Sequence, residues 1–537
     1  MAIPYLCRQG NKTILKVDDR PYIAVAGEVH NSDSSSVTYM EGIWKIADQL
    51  HMNSLLLPVS WEMIEPEEDH FDFSNPKALI DQAREHHQKI VFLWFGSWKN
   101  AEMMYCPSWV KEDRRRFRRG QIVKGQDKAD RKISTSSDYG FPYYTISYLC
   151  EDAMNADAKA FSRFMGFLKE YDENENTVIM VQVENETGLL GAAREVSDEA
   201  DEAFDQTVPA DLLSYLRQHT ETMTPEIKDA VLNGAENGSW KEVFGDAAEE
   251  LFSAYHVASY VEHVAKAGKE VYPLPMSANC WLNKGDEPGT YPSGGPVSKV
   301  HEVWNCCAPS IDLLTPDIYV PNFSEICDEY TRRGTALMIP ECATHSYCAP
   351  RLVYAVGHYH AIGYSPFGFD DIGKPFTAVQ GFLFGMDVQD PALKTPQDFE
   401  EYAKTSELLR MLLPEIGTKL GTNDLQASNG ETAPYSQLYF GNVVITTAFQ
   451  SPIQPRTDGY CLVIKEKEDQ CLILGNACTL LLHSADREKR NLDILCLEEG
   501  VFNEDHEWVP GRRLNGDEAA MLSFKEPSIW RLTYHIY

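Results

Sequence analysis

Two glutamates stand where apolar, β-branched runs give way to small and polar residues. The first follows Thr177–Val183, in Val183-Glu184-Asn185-Glu186-Thr187-Gly188. The second follows Ala336–Ile339, in Ile339-Pro340-Glu341-Cys342. Two carboxyl groups brought to one bond can divide the labour of substitution at carbon. One protonates a leaving oxygen and later deprotonates water, while the other attacks and forms a covalent intermediate. At an anomeric carbon this is retaining glycoside hydrolysis. A single glutamate after a strand more often caps a helix or pairs with an arginine. An Asn-Glu at one strand end together with a Glu at another is the rarer combination.

The elements that must position these residues alternate. Apolar runs at Tyr22–Ala26, Ser54–Val59, Ile90–Phe95, Thr177–Val183, Val271–Ser277, Ile311–Tyr319, Ala336–Ile339 and Gly363–Phe367 read as strands. Helical patterns separate them, near 37–50, 76–87, 152–170, 248–267, 324–333 and 350–360, and two more follow, near 375–384 and 396–413. Buried strands joined by helices make an α/β fold, and eight of them predict a closed (β/α)8 barrel, whose chemistry lies at the carboxyl ends of its strands. On this count Glu186 ends the fourth strand and Glu341 the seventh. An acidic excursion, 195–246, interrupts the alternation. From about Ile416 short β runs and turn signals such as Asn429-Gly430 and Asp458-Gly459 take over. They predict a small all-β, sandwich-like domain. The expected division is 1–414 for the barrel and 415–537 for the β domain.

Composition narrows the partners. The chain has 537 residues and a formal net charge of −33. Such a charge repels phosphate backbones and anionic membranes, so neither nucleic acid nor a membrane is expected as a partner. The basic run Arg114-Arg115-Arg116-Phe117-Arg118-Arg119 follows Glu112-Asp113 and reads as a neutralising surface or a subunit contact in a possible homo-oligomer. The 13 cysteines contain no C-x-x-C spacing, and neither a metal nor a cofactor is expected. The first residues show no basic stretch followed by a long apolar run, so a cytoplasmic location with reduced thiols is expected.

The motifs together resemble clan A glycoside hydrolases, and most closely family 35 β-galactosidases, over about residues 20–385. The run Val181-Gln182-Val183-Glu184-Asn185-Glu186 is similar to the family's acid/base strand. The resemblance makes Glu186, not Glu184, the proton donor, sets Asn185 on the sugar 2-hydroxyl, and matches Glu341 to the nucleophile. Gly27-Glu28-Val29-His30 resembles the first-strand motif, with His30 as a hydrogen-bonder. Trp61-Glu62-Met63-Ile64-Glu65-Pro66 with Phe71-Asp72-Phe73 resembles the second-strand signature. Gly96-Ser97-Trp98-Lys99-Asn100-Ala101-Glu102 resembles the third-strand segment, which implies sugar contacts at Asn100, Ala101 and Glu102. Tyr319 falls where clan members often place a tyrosine that hydrogen-bonds the nucleophile; a packed core tyrosine is the alternative. Trp281, after the fifth strand, is either a stacking platform for a sugar face or a core residue.

The resemblance implies hydrolysis of terminal non-reducing β-galactosides, with a small glycoside or oligosaccharide as substrate. There are departures. Pro58 stands where the family carries a sugar-contacting tyrosine, and the Pro-Val-Ser-Trp-Glu segment is nearer to family 42. A β-glycosidase of other sugar preference, such as a β-glucosidase, therefore stands beside the first reading. A barrel that binds carbohydrate without cleaving it is a third.

Overall fold

The computed structural model describes residues 2–123, 131–133, 144–450 and 456–537. Its centre is one eight-stranded sheet. The strands are β1 (Ala24–Glu28), β2 (Ser54–Ser60), β3 (Lys89–Phe95), β4 (Val178–Val183), β5 (Met276–Trp281), β6 (Leu313–Asp317), β7 (Met338–Ile339) and β8 (Gly363–Tyr364). They are ordered β6-β5-β4-β3-β2-β1-β8-β7. A parallel bridge between Ile318 and Cys342 joins the two ends of that order, with Ile318 N–H donating to Glu341 O at 2.9 Å. The sheet is thus a closed parallel barrel with neighbours in chain order, as the alternation predicts. Every residue of β2 and β4 is buried, as expected of strands covered on both faces.

The helices follow the apolar spacing. In Glu151–Asp172 the buried set Ala153, Asp157, Ala160, Phe161, Phe164, Met165 and Leu168 recurs at three and four residues and forms one inward stripe. Glu151 and Asp152 in its first turn and Lys169 in its last complement the helix dipole. It packs against Ala248–Lys269. The approach is close at Gly268, where a Cβ would lie 2.3 Å from Phe161 Cε1.

Some elements depart from expectation. The fifth strand begins at Met276 rather than Val271. Pro273 and Pro275 cannot donate to a ladder, so pairing starts after them. Tyr22 does not enter the barrel; Arg20–Tyr22 pairs with Lys12–Val17 in a three-stranded antiparallel sheet that includes Tyr5–Gln9. Apolar and polar residues do not alternate in those short strands, as in Lys12-Thr13-Ile14-Leu15-Lys16-Val17, so no period-two pattern announced them.

By contacts the chain forms two compact units. One comprises Met1–Tyr5, Val29–Glu41 and Leu56–Asp317; the other comprises Leu6–Glu28, Gly42–Leu55 and Ile318–Tyr537. The first contains the acidic excursion, which folds as short helices at Asp198–Asp205, Ala210–Gln218, Pro225–Asn233 and Trp240–Phe244. At its start Glu195 is buried, accepting from Ser147 Oγ at 2.8 Å. Burial raises its carboxyl from the ordinary 4.5 to about 7. The folded state therefore holds a proton that the unfolded state has lost between those two values, and stability falls as pH rises through that window. Glu195→Gln should be close to neutral at pH 4.5 and stabilising by about 3 kcal/mol above pH 7. Urea midpoints at the two pH values check this; equal effects at both would contradict it.

The second unit contains the β domain. One antiparallel sheet orders Leu425–Asn429, Tyr460–Lys467, Gln470–Asn476, Ser528–Ile536, Leu492–Phe502 and Trp508–Arg513; the other orders Tyr435–Phe440, Val443–Ala448, Cys478–Ser484 and Leu522–Phe524. Phe440, Ile445, Leu480 and Phe524 from one sheet share a core with Val463, Ile473, Trp530 and Leu532 from the other. This is sandwich packing. Gly441, at φ +67°, turns the Tyr435–Phe440 and Val443–Ala448 hairpin. Within the same unit Arg351, 1% exposed, donates from Nε to Glu431 Oε2 at 2.8 Å. Arg351→Ala leaves that carboxylate without its cation and should cost about 3–5 kcal/mol, read as a lower denaturation midpoint. An unchanged midpoint would show the pair to be dispensable.

Candidate active site

The residues after β4 adopt a backbone that side chains usually avoid. Glu184 has φ +63° and Glu186 φ +46°, with Asn185 between them. Left-handed glutamates cost on the order of 1–3 kcal/mol each and persist only where surroundings hold them. Asn185 N–H donates to Trp98 O at 3.2 Å. Trp98 N–H donates to Glu184 Oε2 at 2.8 Å, and Glu186 N–H donates to Asn279 Oδ1 at 3.0 Å. The strain turns Glu184 and Glu186 apart. Glu184 is fully buried; Glu186 retains 8% exposure.

The loop after β3 supplies the next group. Lys99 and Glu102 exchange backbone hydrogen bonds of 2.7 and 3.1 Å across a tight turn in which Asn100 has φ +52° and Ala101 φ +59°. Both φ values being positive defines a mirror-image turn that normally takes glycine or asparagine. Ala101 and Glu102 are buried. The buried Lys99 ammonium donates to Asn185 Oδ1 at 3.0 Å. The turn and the Glu184-Asn185-Glu186 segment are thus tied together.

Asn279, inside β5, spans two strand ends: Oδ1 accepts from Glu186 N–H and Nδ2 donates to Asp317 Oδ2 at 2.7 Å. Carboxylate oxygens of Glu186 and Asp317 lie within 4.8 Å of one another. Trp281 closes β5, half-buried and in register with Asp317. His30, half-buried, lies just past β1, where its carbonyl accepts from Asp33 N–H at 3.0 Å.

Around the seventh strand a second cluster forms. Tyr319 O–H donates to Glu341 Oε2 at 2.8 Å. Its ring stacks on Phe384, with centroids 5.4 Å apart. Glu341 is 5% exposed. Tyr319 is also buried among Ala343, Phe367, Met386 and Leu393, so it is packed as well as hydrogen-bonded.

Other motif residues turn out to be framework. Glu65 accepts from Trp61 Nε1 and from Asp69 N–H, both at 2.8 Å, so the Trp-Glu-Met-Ile-Glu-Pro motif folds its own loop. Asp72 accepts from Ser74 N–H at the start of the next helix, and Phe73 stacks on Phe167 at 4.9 Å. The arginine run is engaged within the fold. Arg116 pairs with Glu68 at 2.7 Å and Arg118 with Glu199 at 2.8 Å, while Arg119 donates to the Lys111 carbonyl at 2.9 Å.

Sequence reasoning missed Lys99, Asn279 and Asp317. Lys99 lay inside a quoted motif with nothing to tell its direction. Asp317 was hidden because the sixth strand was drawn through to Tyr319, which made Asp317 an interior residue. It is the strand's last.

The chain is thus a (β/α)8 barrel in which carboxylates stand at or just after the carboxyl ends of β4, β6 and β7. Residues 402–525 match a family described as a domain of unknown function, DUF5597. No curated protein matches the chain. Among solved structures, it is similar to a β-galactosidase from Bacillus circulans sp. alkalophilus at 12% identity, with a TM-score of 0.46, covering 74% of this chain and 57% of that one. It is similar to the exo-β-1,4-mannosidase of Opitutaceae bacterium strain TAV5 at 13% identity and TM-score 0.42, covering 76% and 62%. The catalytic domain of a β-amylase from Paenibacillus polymyxa matches at 10% identity and TM-score 0.42, covering 66% and 96%. The chain spans less than two thirds of the length of the first two. Among the described residues, no helix is long and apolar enough to cross a membrane.

Proposed function

We propose that the protein is a retaining β-glycosidase that removes terminal non-reducing β-galactose from a small glycoside, with Glu186 as acid/base and Glu341 as nucleophile. The observation that carries this reading is the Tyr319 O–H bond to Glu341 Oε2 at 2.8 Å. It orients the carboxylate that, in this reading, attacks an anomeric carbon. Glu186, set by a strained backbone at the end of β4, protonates the leaving oxygen and then activates water. The nearby Asp317 carboxylate favours the protonated form of Glu186 that the first step needs. Asn185, Asn100, Ala101, Glu102, His30 and Trp281 form the sugar-binding set in this proposal, and Lys99 fixes the amide of Asn185. The barrel, 1–414, does the chemistry, the β domain, 415–537, supports it, and the enzyme works in the cytoplasm without metal or cofactor.

A second reading, the same chemistry on another β-sugar, is favoured by Pro58. This residue lies buried in β2 and carries no hydroxyl where the resemblance expects a tyrosine. Initial rates on nitrophenyl β-galactoside, β-glucoside, β-xyloside and α-galactoside test both. Fastest turnover of the β-galactoside supports the first reading, and that of another β-sugar the second. Sugar binding with no turnover would favour a non-catalytic barrel and sink both.

A further inference from the structure

One carboxyl group of the Glu184-Asn185-Glu186 turn has no part in the reaction proposed above. Glu184 and Asp157 are each 0% exposed, and their side chains hydrogen-bond one another. Carboxylates only accept, so a direct bond between two of them needs a proton. The surrounding donors show where it sits. Asp157 Oδ1 accepts from Trp94 Nε1–H at 2.8 Å. Asp157 Oδ2 accepts from Ser97 N–H at 2.8 Å and from Ser97 Oγ–H at 2.6 Å. Ser97 has only one hydroxyl proton, so in its 2.7 Å contact with Tyr260 the tyrosine donates. Asp157 therefore has three donors already. Glu184 has fewer: Oε2 accepts from Trp98 N–H and Ser97 N–H also acts on the group, whereas the buried Oε1 accepts from no donor within hydrogen-bonding geometry. The proton belongs on Glu184 Oε1, and Asp157 is the anion.

We propose that Glu184 is a neutral carboxylic acid whose O–H, donated to Asp157, positions the turn that presents Asn185 and Glu186. The part of this inference that concerns catalysis rests on the function proposed above. Through Trp98 N–H the acid also ties the turn to the loop after β3, whose Trp98 O receives Asn185 N–H. That tie opposes the strain of left-handed backbone at residues 184 and 186. Burial and the Asp157 charge hold the Glu184 carboxyl well above the usual glutamate range. Of the other titratable groups acting on the pair, Cys106 and Tyr260 are kept protonated by burial, and the Glu65 carboxyl, itself raised by burial, feels the Asp157 charge.

Difference infrared spectra of the wild type against Glu184→Gln at neutral pH test the proton directly. A carboxylic-acid carbonyl band present in the wild type and lost in the variant is expected; its absence from the wild type overturns the proposal. This readout needs no activity, so it stands even if no glycoside is cleaved. Positioning is read in kinetics. Glu184→Gln keeps a donor toward Asp157 and should retain kcat within about threefold, while Glu184→Ala should lose roughly 10–100-fold in kcat with little change in KM. Asp157→Asn should be as damaging as Glu184→Ala, because one amide oxygen cannot serve three donors. Should Glu184→Ala fail to fold, the contrast between Glu184→Gln and Asp157→Asn decides. A tolerated Asp157→Asn with a damaging Glu184→Gln would move the proton to Asp157 and overturn the assignment.

Discussion

On the mechanism proposed above, Glu341→Ala should lose hydrolysis of the best nitrophenyl β-glycoside by on the order of 10⁴-fold or more, since no covalent intermediate could form. Folding should survive. The cost in stability should be small beside the loss in rate, and the urea midpoint of the variant against the wild type checks it. The vacated space suits a small anion. Azide should enter, attack the anomeric carbon directly and restore turnover, with the glycosyl azide of inverted configuration as product. Proton NMR of the azide reads the anomer. Recovery of the retained anomer would exchange the roles of Glu341 and Glu186. Full activity in the variant would remove Glu341 from the mechanism altogether.

Glu186→Gln should divide substrates by their leaving groups. General acid–base assistance is worth about 10²–10⁴-fold, and a poor leaving group needs all of it. Rates on alkyl or sugar aglycones should fall by that factor. A dinitrophenyl glycoside, which departs without a proton, should still form the glycosyl-enzyme and then stall, giving a burst followed by slow turnover. Azide should relieve the stall by attacking the intermediate, and the product is then the retained glycosyl azide. The alkaline limb of the kcat/KM profile reports ionisation of the acid and should vanish in the variant. Equal losses on every leaving group would argue that Glu186 binds rather than protonates. Glu184→Gln is the internal control. The two residues stand two apart in sequence, yet Glu186 retains 8% exposure while Glu184 is fully buried beside Asp157.

Much of the barrel was legible because its signals are local. A buried parallel strand reads as an unbroken apolar run, and Val178–Val183 is one; an amphipathic helix reads as a three-four spacing, and Glu151–Asp172 is one. Strand ends were less legible, since pairing with neighbours decides where a ladder stops. At the fifth strand two prolines moved the start, and at the sixth the ladder ended two residues before Tyr319. The β domain was read in part. Short β-rich runs at Gln437–Phe440 and Val443–Ala448 were found, the first starting two residues late. Leu492–Phe502, partly buried, and Trp508–Arg513, mostly exposed, were not.

The sequence by itself determined which residue types stand at the ends of the fourth and seventh strands, and hence which chemistry is available. Spacing and side-chain identity carry that information without reference to the rest of the chain. Only the tertiary structure decided direction. It turned Glu184 inward and left Glu186 partly open, aimed Lys99 at Asn185, and joined Asn279 to Asp317 across two strands. These outcomes depend on φ angles imposed from outside the segment and on distant partners, 86 residues apart for Lys99 and Asn185. No local pattern encodes a contact whose other half arrives from another strand.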